Sequence, residues 1–276
     1  MIKPLVRWSV TLGLAGASFL GWGMIENLMA VALTQEEIIE KLREVPVFTL
    51  MDDQGSPLVA SGEGDSKFAG VYINQEDATQ FVDRLKTENP ELAEKVQVVP
   101  LPLSEVYKLS ESAQIKENAL NFAYIPDKEA VNTAKTILSE TEQEPYQGGV
   151  PLFVATGKEN NDFIFFEQNS KQVVPFFFDK AQLDNMVAKV KEQQPELAED
   201  LNVGVVLLEN VIQTLETSED EMLENIVLVP SVESIKAVQT LQQQQGVPAG
   251  EAAPAPAPAP AGEAAPAPAP APAPAE

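Results

Sequence analysis

The chain contains neither histidine nor cysteine among its 276 residues. These two absences exclude disulfides, thiol nucleophiles, Ser-His-Asp triads and zinc sites built from thiolates or imidazoles. Carboxylates, lysines, tyrosines and serines remain, so a carboxylate-dependent hydrolase stays open as a minor alternative. In an exported protein, the lack of cysteine also means that the core alone must stabilise the fold.

Basic residues are scarce, since 18 Lys and Arg stand against 42 Asp and Glu and give a formal net charge of −24. Such a charge repels nucleic acids and anionic lipid headgroups, and it favours basic or positively flanked partners. A large charge of one sign also keeps an exported protein soluble, and this simpler interpretation can hold at the same time.

Motifs for binding phosphate or calcium are missing as well. The glycines Gly62, Gly64 and Gly70 match neither a Walker A loop nor a Rossmann fingerprint. Residues 52–55 (Asp-Asp-Gln-Gly) superficially resemble a calcium loop, but they lack the alternating acidic positions and the later bidentate glutamate. We expect a hairpin turn there, and no metal or cofactor site elsewhere.

The second half of the sequence repeats the first. The segment Pro-Glu-Leu-Ala-Glu begins at Pro90 and again at Pro195, an offset of 105 residues. At the same offset, Val45 and Val150 each begin a Val-Pro-hydrophobic-Phe segment. A register kept over such a length indicates an internal duplication, and therefore a pseudo-twofold domain in which surface features occur twice.

Each half shows the same pattern of secondary structure, β-β-β-α-β-α-β-α. Short strands joined by short turns favour antiparallel pairing, and strands mixed with helices indicate an α+β (mixed α/β) fold. Asn74 and its counterpart Asp179 are helix N-caps, each followed by an apolar stripe at i, i+3, i+4, i+7. Six predicted strands, which the structure tests below, are 45–51, 58–61, 68–73, 150–156, 163–166 and 172–178.

The two ends differ from the duplicated part. Residues 1–32 have the layout of a secretory signal peptide, with Ala30-Val31-Ala32 as cleavage site, although an uncleaved anchor is an alternative. Residues 33–44 predict an added amphipathic helix, which packs on the core or binds a membrane or partner. The repeat halves are 45–139 and 150–243, joined by a linker, 140–149. Residues 244–276 predict a disordered Ala/Pro-rich tail, either inert or a stiff spacer or docking sequence.

Aromatic residues concentrate in two neighbouring strands of the second half. Because consecutive residues of a strand point to opposite faces, these aromatics load both faces of a sheet. Either both faces form a core, or one face keeps an apolar pocket for a hydrophobic peptide segment. The candidate pocket residues are Phe163, Phe165, Phe176 and Phe178 in the second half, with Phe68 and Tyr72 in a shallower counterpart.

The duplicated pattern resembles a known family. Val-Pro-hydrophobic-Phe is followed by a strand triplet (residues 71–73 and 176–178), a capped amphipathic helix, Pro-Glu-Leu-Ala-Glu and a further strand. Over roughly 45–241 this arrangement is similar to the Tic 22-kDa subunit family, a soluble component of the chloroplast inner-envelope translocon, and especially to its cyanobacterial periplasmic homologues. The Ala/Pro tail is not part of that pattern.

The resemblance implies a pseudo-symmetric α/β domain with surface apolar pockets and no catalytic centre. It implies a non-enzymatic chaperone or escort for unfolded precursor proteins in protein translocation and outer-membrane biogenesis. Expected partners are unfolded precursors or outer-membrane proteins and an outer-membrane translocon or assembly barrel, with no nucleic acid and only peripheral membrane contact. The expected location is the periplasm, with the thylakoid lumen open. The alternative is a structural adaptor that docks a membrane assembly without binding clients.

Overall fold

The computed structural model of the chain describes residues 33–62, 67–114, 120–141, 143–158, 161–193, 195 and 199–245. The predicted signal peptide and all but the first two residues of the predicted tail lie outside these residues. In chain order the first elements are α1 (Gln35–Arg43), β1 (Pro46–Asp52), β2 (Val59–Ser61), β3 (Lys67–Tyr72), α2 (Gln75–Glu88), α3 (Pro90–Ala93), β4 (Val96–Pro102), α4 (Leu103–Gln114) and β5 (Leu120–Ile125). The remaining elements are α5 (Lys128–Glu140), β6 (Pro151–Gly157), β7 (Phe166–Gln168), β8 (Lys171–Phe177), α6 (Lys180–Gln193), β9 (Leu201–Leu207), α7 (Leu208–Thr217), a 3₁₀ helix (Glu221–Asn225), β10 (Ile226–Val229) and α8 (Val232–Gln245).

The strands form two sheets with the same topology, which agrees with the duplication. Within the described residues each sheet has five strands. The first sheet has the order β2-β3-β1-β4, and β5 also pairs with β3. The second sheet has the order β10-β8-β6-β9, and β7 also pairs with β8. The long antiparallel ladders match: β1 pairs with β4 over Pro46–Asp52, and β6 pairs with β9 over Pro151–Gly157. The predicted α+β fold is therefore confirmed.

The antiparallel pairing predicted for strands joined by short turns is present, but one strand pair in each sheet is parallel. β5 runs parallel to β3, with Tyr124 opposite Val71, and β10 runs parallel to β8, with Leu228 opposite Phe176. The reason is the crossover: three helices and a strand separate β3 from β5, and such long connections allow parallel neighbours.

The chain divides into two compact units that do not coincide with the two repeat halves. The first-sheet unit contains Val45–Asp127 and residues 232–245, and the second-sheet unit contains residues 33–44 and 128–231. Helix α5, the last helix of the first repeat, thus belongs with the second sheet, and α8 belongs with the first. In sequence the duplication has halves 45–139 and 150–243, but in space each half contributes its last helix to the other unit.

Helices cover one face of each sheet because their apolar stripes are placed at helical spacing. In the second-sheet unit α5 and α6 cover β6 and β8, and the buried residues of that cluster include Ala134, Ile137, Phe153, Phe177, Leu183 and Val190. In the first-sheet unit α2 and α8 do the same, around Phe48, Leu50, Tyr72 and Ala78. The predicted caps form: Asn74 Oδ1 accepts from the Glu76 amide, and Asp179 Oδ1 accepts from the Ala181 amide, both at 2.8 Å.

Two turns set the strand connections. The predicted turn at residues 52–55 is confirmed, since Asp52 Oδ1 accepts from the amides of Gln54 and Ser56 and Gly55 adopts φ 78°. The predicted strand 163–166 is wrong in its bounds. Phe163 makes an isolated bridge with Thr156, and the regular strand β7 begins only at Phe166. A two-residue turn with left-handed Asn169 and Ser170 then pairs β7 with β8.

The added N-terminal helix packs on the second-sheet unit. Its capping box is present: Thr34 Oγ1 accepts from the Glu37 amide at 3.3 Å, and the Glu37 carboxylate accepts from the Thr34 amide at 2.8 Å. Ile38 and Leu42 are buried, and α1 lies against α7 and β10. Lys41 Nζ donates to the carbonyls of Glu224 and Ile226 at 2.8 and 3.1 Å, and burial lowers the pKa of this lysine.

Candidate functional site

The six predicted pocket residues divide between the two units and between surface and core. Phe176 and Phe178 are buried on β8 and directly after it, and Tyr72 is buried at the end of β3. Phe163 and Phe165 are half-buried, and Phe68 is 37 % exposed. Phe68, Phe163 and Phe165 are therefore the accessible members of the predicted set, while the other three side chains are buried.

In the second-sheet unit the structure brings Phe163 and Phe176 together. Their ring centroids lie 5.4 Å apart with an interplanar angle of 89°, an edge-to-face contact. Residues 173–178 are buried throughout, so both faces of the sheet are covered at β8. At β8 the prediction of a core on both faces therefore holds. The accessible aromatic surface of this cluster comes from Phe163 and Phe165, which lie before β7.

In the first-sheet unit Phe68 and Tyr72 lie on the same face of β3, four residues apart. Gly70 stands between them, and a Cβ at Gly70 would come within 3.2 Å of the Tyr72 ring. The Tyr72 ring therefore lies along the strand, where it contacts Phe81 at a centroid distance of 6.1 Å. The Phe68 ring lies across Gly62, where a Cβ would approach it to 2.5 Å.

The electrostatics of the Tyr72 environment favour the neutral phenol. Burial raises the pKa of Tyr72 to about 12, the nearby Arg84 guanidinium opposes this shift, and the Asp77 carboxylate adds to it. Arg84 itself lies 5.6 Å from the centroid of the Phe81 ring. The hydroxyl therefore stays protonated at physiological pH, and the site offers apolar and aromatic surface rather than a nucleophile or a general base.

Sequence reasoning missed other exposed or half-exposed apolar side chains. On α8, Val232 is 46 % exposed and Ile235 is 39 % exposed, one helical turn apart. On β5, Phe122 and Tyr124 are half-buried. The signal for the first pair was present, because both residues precede the apolar stripe that packs on the core. Nothing local distinguished the second pair, whose environment depends on which helix covers an edge strand.

The described residues lack two further features. Within the ranges given above, His, Cys, Asp and Glu side chains form no group of three or more suited to hold a metal ion. Among the helices described there, none combines the length and apolar character needed to cross a membrane.

The chain is similar to a known family and to plant proteins over most of its length. The model of the Tic22-like family matches residues 22–243. Protein TIC 22, chloroplastic, of Pisum sativum is 24 % identical over 226 residues, which cover 81 % of this chain and 84 % of the relative. Protein TIC 22-like, chloroplastic, of Arabidopsis thaliana is 27 % identical over 217 residues, which cover 75 % of this chain and 64 % of the relative.

A solved structure shares the fold. The structure of Anabaena Tic22, described as a protein transport protein, matches with a TM-score of 0.66 and 26 % identity. The match covers 75 % of this chain and 97 % of the Anabaena chain. The resemblance seen in the duplicated residues is thus confirmed by sequence and by structure, and the chain belongs to the Tic22-like family, whose members include a protein transport component.

Proposed function

We propose that this chain is a non-enzymatic, ATP-independent periplasmic chaperone that escorts unfolded precursor proteins in protein translocation and outer-membrane biogenesis. Membership in a protein transport family supports the general role. The observations that carry the finer role are the accessible aromatic side chains, Phe68 in the first-sheet unit and Phe163 and Phe165 in the second-sheet unit. Such surface suits apolar segments of an unfolded chain.

The amount of accessible surface fits weak, reversible holding. A phenylalanine side chain of about 150–250 Å² that is roughly one-third exposed contributes about 1–2 kcal/mol when a client covers it, at about 25 cal/mol per Å². Two or three such contacts contribute about 2–6 kcal/mol in total, which roughly offsets a cost of association on the order of 4 kcal/mol, so these contacts alone give a dissociation constant of about tens of millimolar or weaker. A holder without an energy source must release its client, and this affinity permits release.

The acidic surface supports the same role by a different force. A net charge of −24 attracts basic, unfolded chains over distances of about 10 Å at moderate salt. It disfavours nucleic acid and anionic lipid, which agrees with a peripheral relation to membranes. The proposed partners are therefore unfolded precursor or outer-membrane proteins, and an outer-membrane translocon or assembly barrel that receives them. The proposed location is the periplasm, with the thylakoid lumen as the second choice.

The role of the aromatic surface is tested by Phe68→Ser and Phe165→Ser in the full chain. Because these side chains are partly exposed, we expect the fold to survive, as judged by circular dichroism, while the suppression of precursor aggregation weakens several-fold. Val232→Ser is the matched control, since it removes a more exposed apolar side chain outside the predicted clusters. Equal suppression by all three variants and the unmodified chain would contradict the proposed surface.

A structural adaptor is the second candidate. The exposed pair Val232 and Ile235 on α8 supports it, because a small rigid apolar patch suits fixed docking on one partner. An adaptor loses its membrane complex in Val232→Ser or after deletion of residues 247–276 and has no affinity for unfolded chains. An escort keeps its holding activity in both variants.

A further inference from the structure

Each unit contains an equivalent surface, formed by a helix that packs on an edge strand. In the second-sheet unit a further helix covers this surface, and in the first-sheet unit the surface is not covered in the same way. In the second-sheet unit, α1 lies over α7 and the edge strand β10. By the duplication α7 corresponds to α4 and β10 corresponds to β5. These two elements also pack on each other in the first-sheet unit, and β5 likewise pairs in parallel with the central strand beside it.

Equivalent side chains of β10 and β5 differ in how far they are buried. Ile226 and Leu228 of β10 are 6 % and 4 % exposed. Their counterparts, Phe122 and Tyr124 of β5, are larger and only half-buried. Larger aromatic side chains that keep more exposure at an equivalent position indicate an apolar surface with less cover.

The segment that aligns with α1 belongs to the second-sheet unit and not to the first. Residues 139–145 are the counterpart of the first turns of α1, and they belong to the second-sheet unit. The linker that follows is fixed there, because Tyr146 packs against the buried cluster under α5 and α6 and its hydroxyl donates to the Gly149 carbonyl. The Val150 amide then donates to both carboxylate oxygens of Glu209, at 3.0 and 3.2 Å.

The helix seated on the second-sheet unit shows what chemistry fits. It buries Ile38 and Leu42, one turn apart, and directs Lys41 to two backbone carbonyls at the start of β10. A partner for the α4–β5 surface would therefore carry two apolar side chains at i and i+4 and a neighbouring cation. A basic helix also suits the net charge of −24 better than an acidic one.

We propose that the surface formed by α4 and β5, centred on Phe122 and Tyr124, is a docking site for a basic amphipathic helix of a client protein. This inference rests on the proposed function and deepens it. It adds amphipathic helices to the extended apolar segments through which a client would bind. Recognition follows the helix-in-groove mode, with anchors at i and i+4.

The probe is a fluorescently labelled peptide with the sequence of residues 33–44 in which the exposed Glu36 and Glu40 are replaced by lysine. A second peptide also carries Ile38→Ser and Leu42→Ser. We expect the full chain to bind the first peptide in a fluorescence anisotropy titration and the second at least about tenfold more weakly, because both anchors are lost. Equal binding of the two peptides would show that charge alone drives association and would overturn the proposal.

The position of the site is tested in the protein. Phe122→Ser should weaken binding of the first peptide about tenfold. Ala123→Ser is the matched control, because Ala123 is exposed on the opposite face of the same strand, and it should leave binding within about twofold. Hydrogen exchange in the unmodified chain gives a readout that does not depend on folding of a variant: added peptide should slow exchange of α4 and β5 amides. Protection of α7 and β10 instead would mean that the peptide displaces α1, and it would overturn the proposal.

Two other occupants appear as distinct outcomes. A concentration-dependent dimer that Phe122→Ser abolishes would assign the surface to a second copy of this chain. Binding to vesicles of anionic phospholipid that Phe122→Ser abolishes would assign it to a membrane. Either result overturns the proposal. Absence of peptide binding in a chain that still suppresses precursor aggregation would overturn the inference alone, whereas loss of suppression with intact peptide binding would overturn the proposed function alone.

Discussion

The edge-to-face pair of Phe163 and Phe176 allows a quantitative test of how the aromatic cluster is built. Phe176 is 2 % exposed, so Phe176→Ala should lower the free energy of unfolding by about 3–5 kcal/mol. Phe163 is half-buried, so Phe163→Ala should cost roughly half as much, about 2 kcal/mol. Because the two rings touch at a centroid distance of 5.4 Å, the double variant should lose less than the sum.

The shortfall is the coupling energy of the pair, which for such aromatic contacts is about 0.5–1.5 kcal/mol. Urea unfolding followed by circular dichroism is the suitable assay, because Trp8 and Trp22, the only tryptophans, both lie within residues 1–32. Met186 provides the control, since it packs in the helix-covered cluster of the same unit. Phe163→Ala and Met186→Ala should add within about 0.5 kcal/mol.

Two results would contradict this description of the Phe163 and Phe176 pair. A coupling energy indistinguishable from that of the control pair would mean that Phe163 and Phe176 do not form one cluster. A cost below about 1 kcal/mol for Phe176→Ala would mean that Phe176 is not a core residue, since such losses are typical of surface positions. In the second case the predicted pocket would extend deeper than the structure indicates.

Two further predictions concern Tyr72, which is buried, and Lys41, which is partly buried. The phenol of Tyr72 loses its proton near pH 10 in the unfolded chain and near pH 12 in the folded one, so its stabilising effect is complete below pH 10 and is lost as the pH rises towards 12. Between these values the free energy of unfolding should fall more in the unmodified chain than in Tyr72→Phe, by at most about 2 kcal/mol after solvent screening; parallel pH profiles of that free energy would contradict this. Lys41→Met removes both hydrogen bonds to the carbonyls of Glu224 and Ile226, and α1 amides should then exchange hydrogen at least several-fold faster. Lys41→Arg is the control, which keeps a donor, and unchanged α1 exchange in Lys41→Met would contradict the clamp.

Local features of the sequence predicted much of the fold. The capping box at Thr34, the caps at Asn74 and Asp179, and the turn at Asp52 all depend on residues within four positions of one another, and the structure confirms them. The apolar stripes of α2 and α6 were equally readable, because helical periodicity is itself local.

The remaining features depend on partners that are distant in sequence. The stripe of α5 shows that this helix buries one face, but it does not say that the sheet beneath belongs to the second repeat. Parallel pairing of β5 with β3 likewise depends on a crossover of about 50 residues. The bounds of the predicted strand 163–166 are wrong because alternation in a short aromatic run does not distinguish a regular strand from a single bridge.

The candidate site was predictable in composition and less so in exposure. Consecutive aromatics correctly indicated that both faces of β8 are apolar. They did not show that Phe176 and Phe178 are buried and not open to a client. The half-exposed Phe122 carried no sequence signal, because its meaning depends on α1, which packs on the other unit.

Aggregation of an unfolded, basic outer-membrane β-barrel precursor shows whether the chain holds unfolded precursors through apolar contact. Light scattering would follow that aggregation in the presence of the full chain, at low salt and at about 1 M salt, where charge interactions are screened beyond about 3 Å. We expect suppression that persists at high salt and weakens in Phe68→Ser. Suppression that disappears at high salt would assign holding to the acidic surface, and no suppression at any ratio would contradict the escort function.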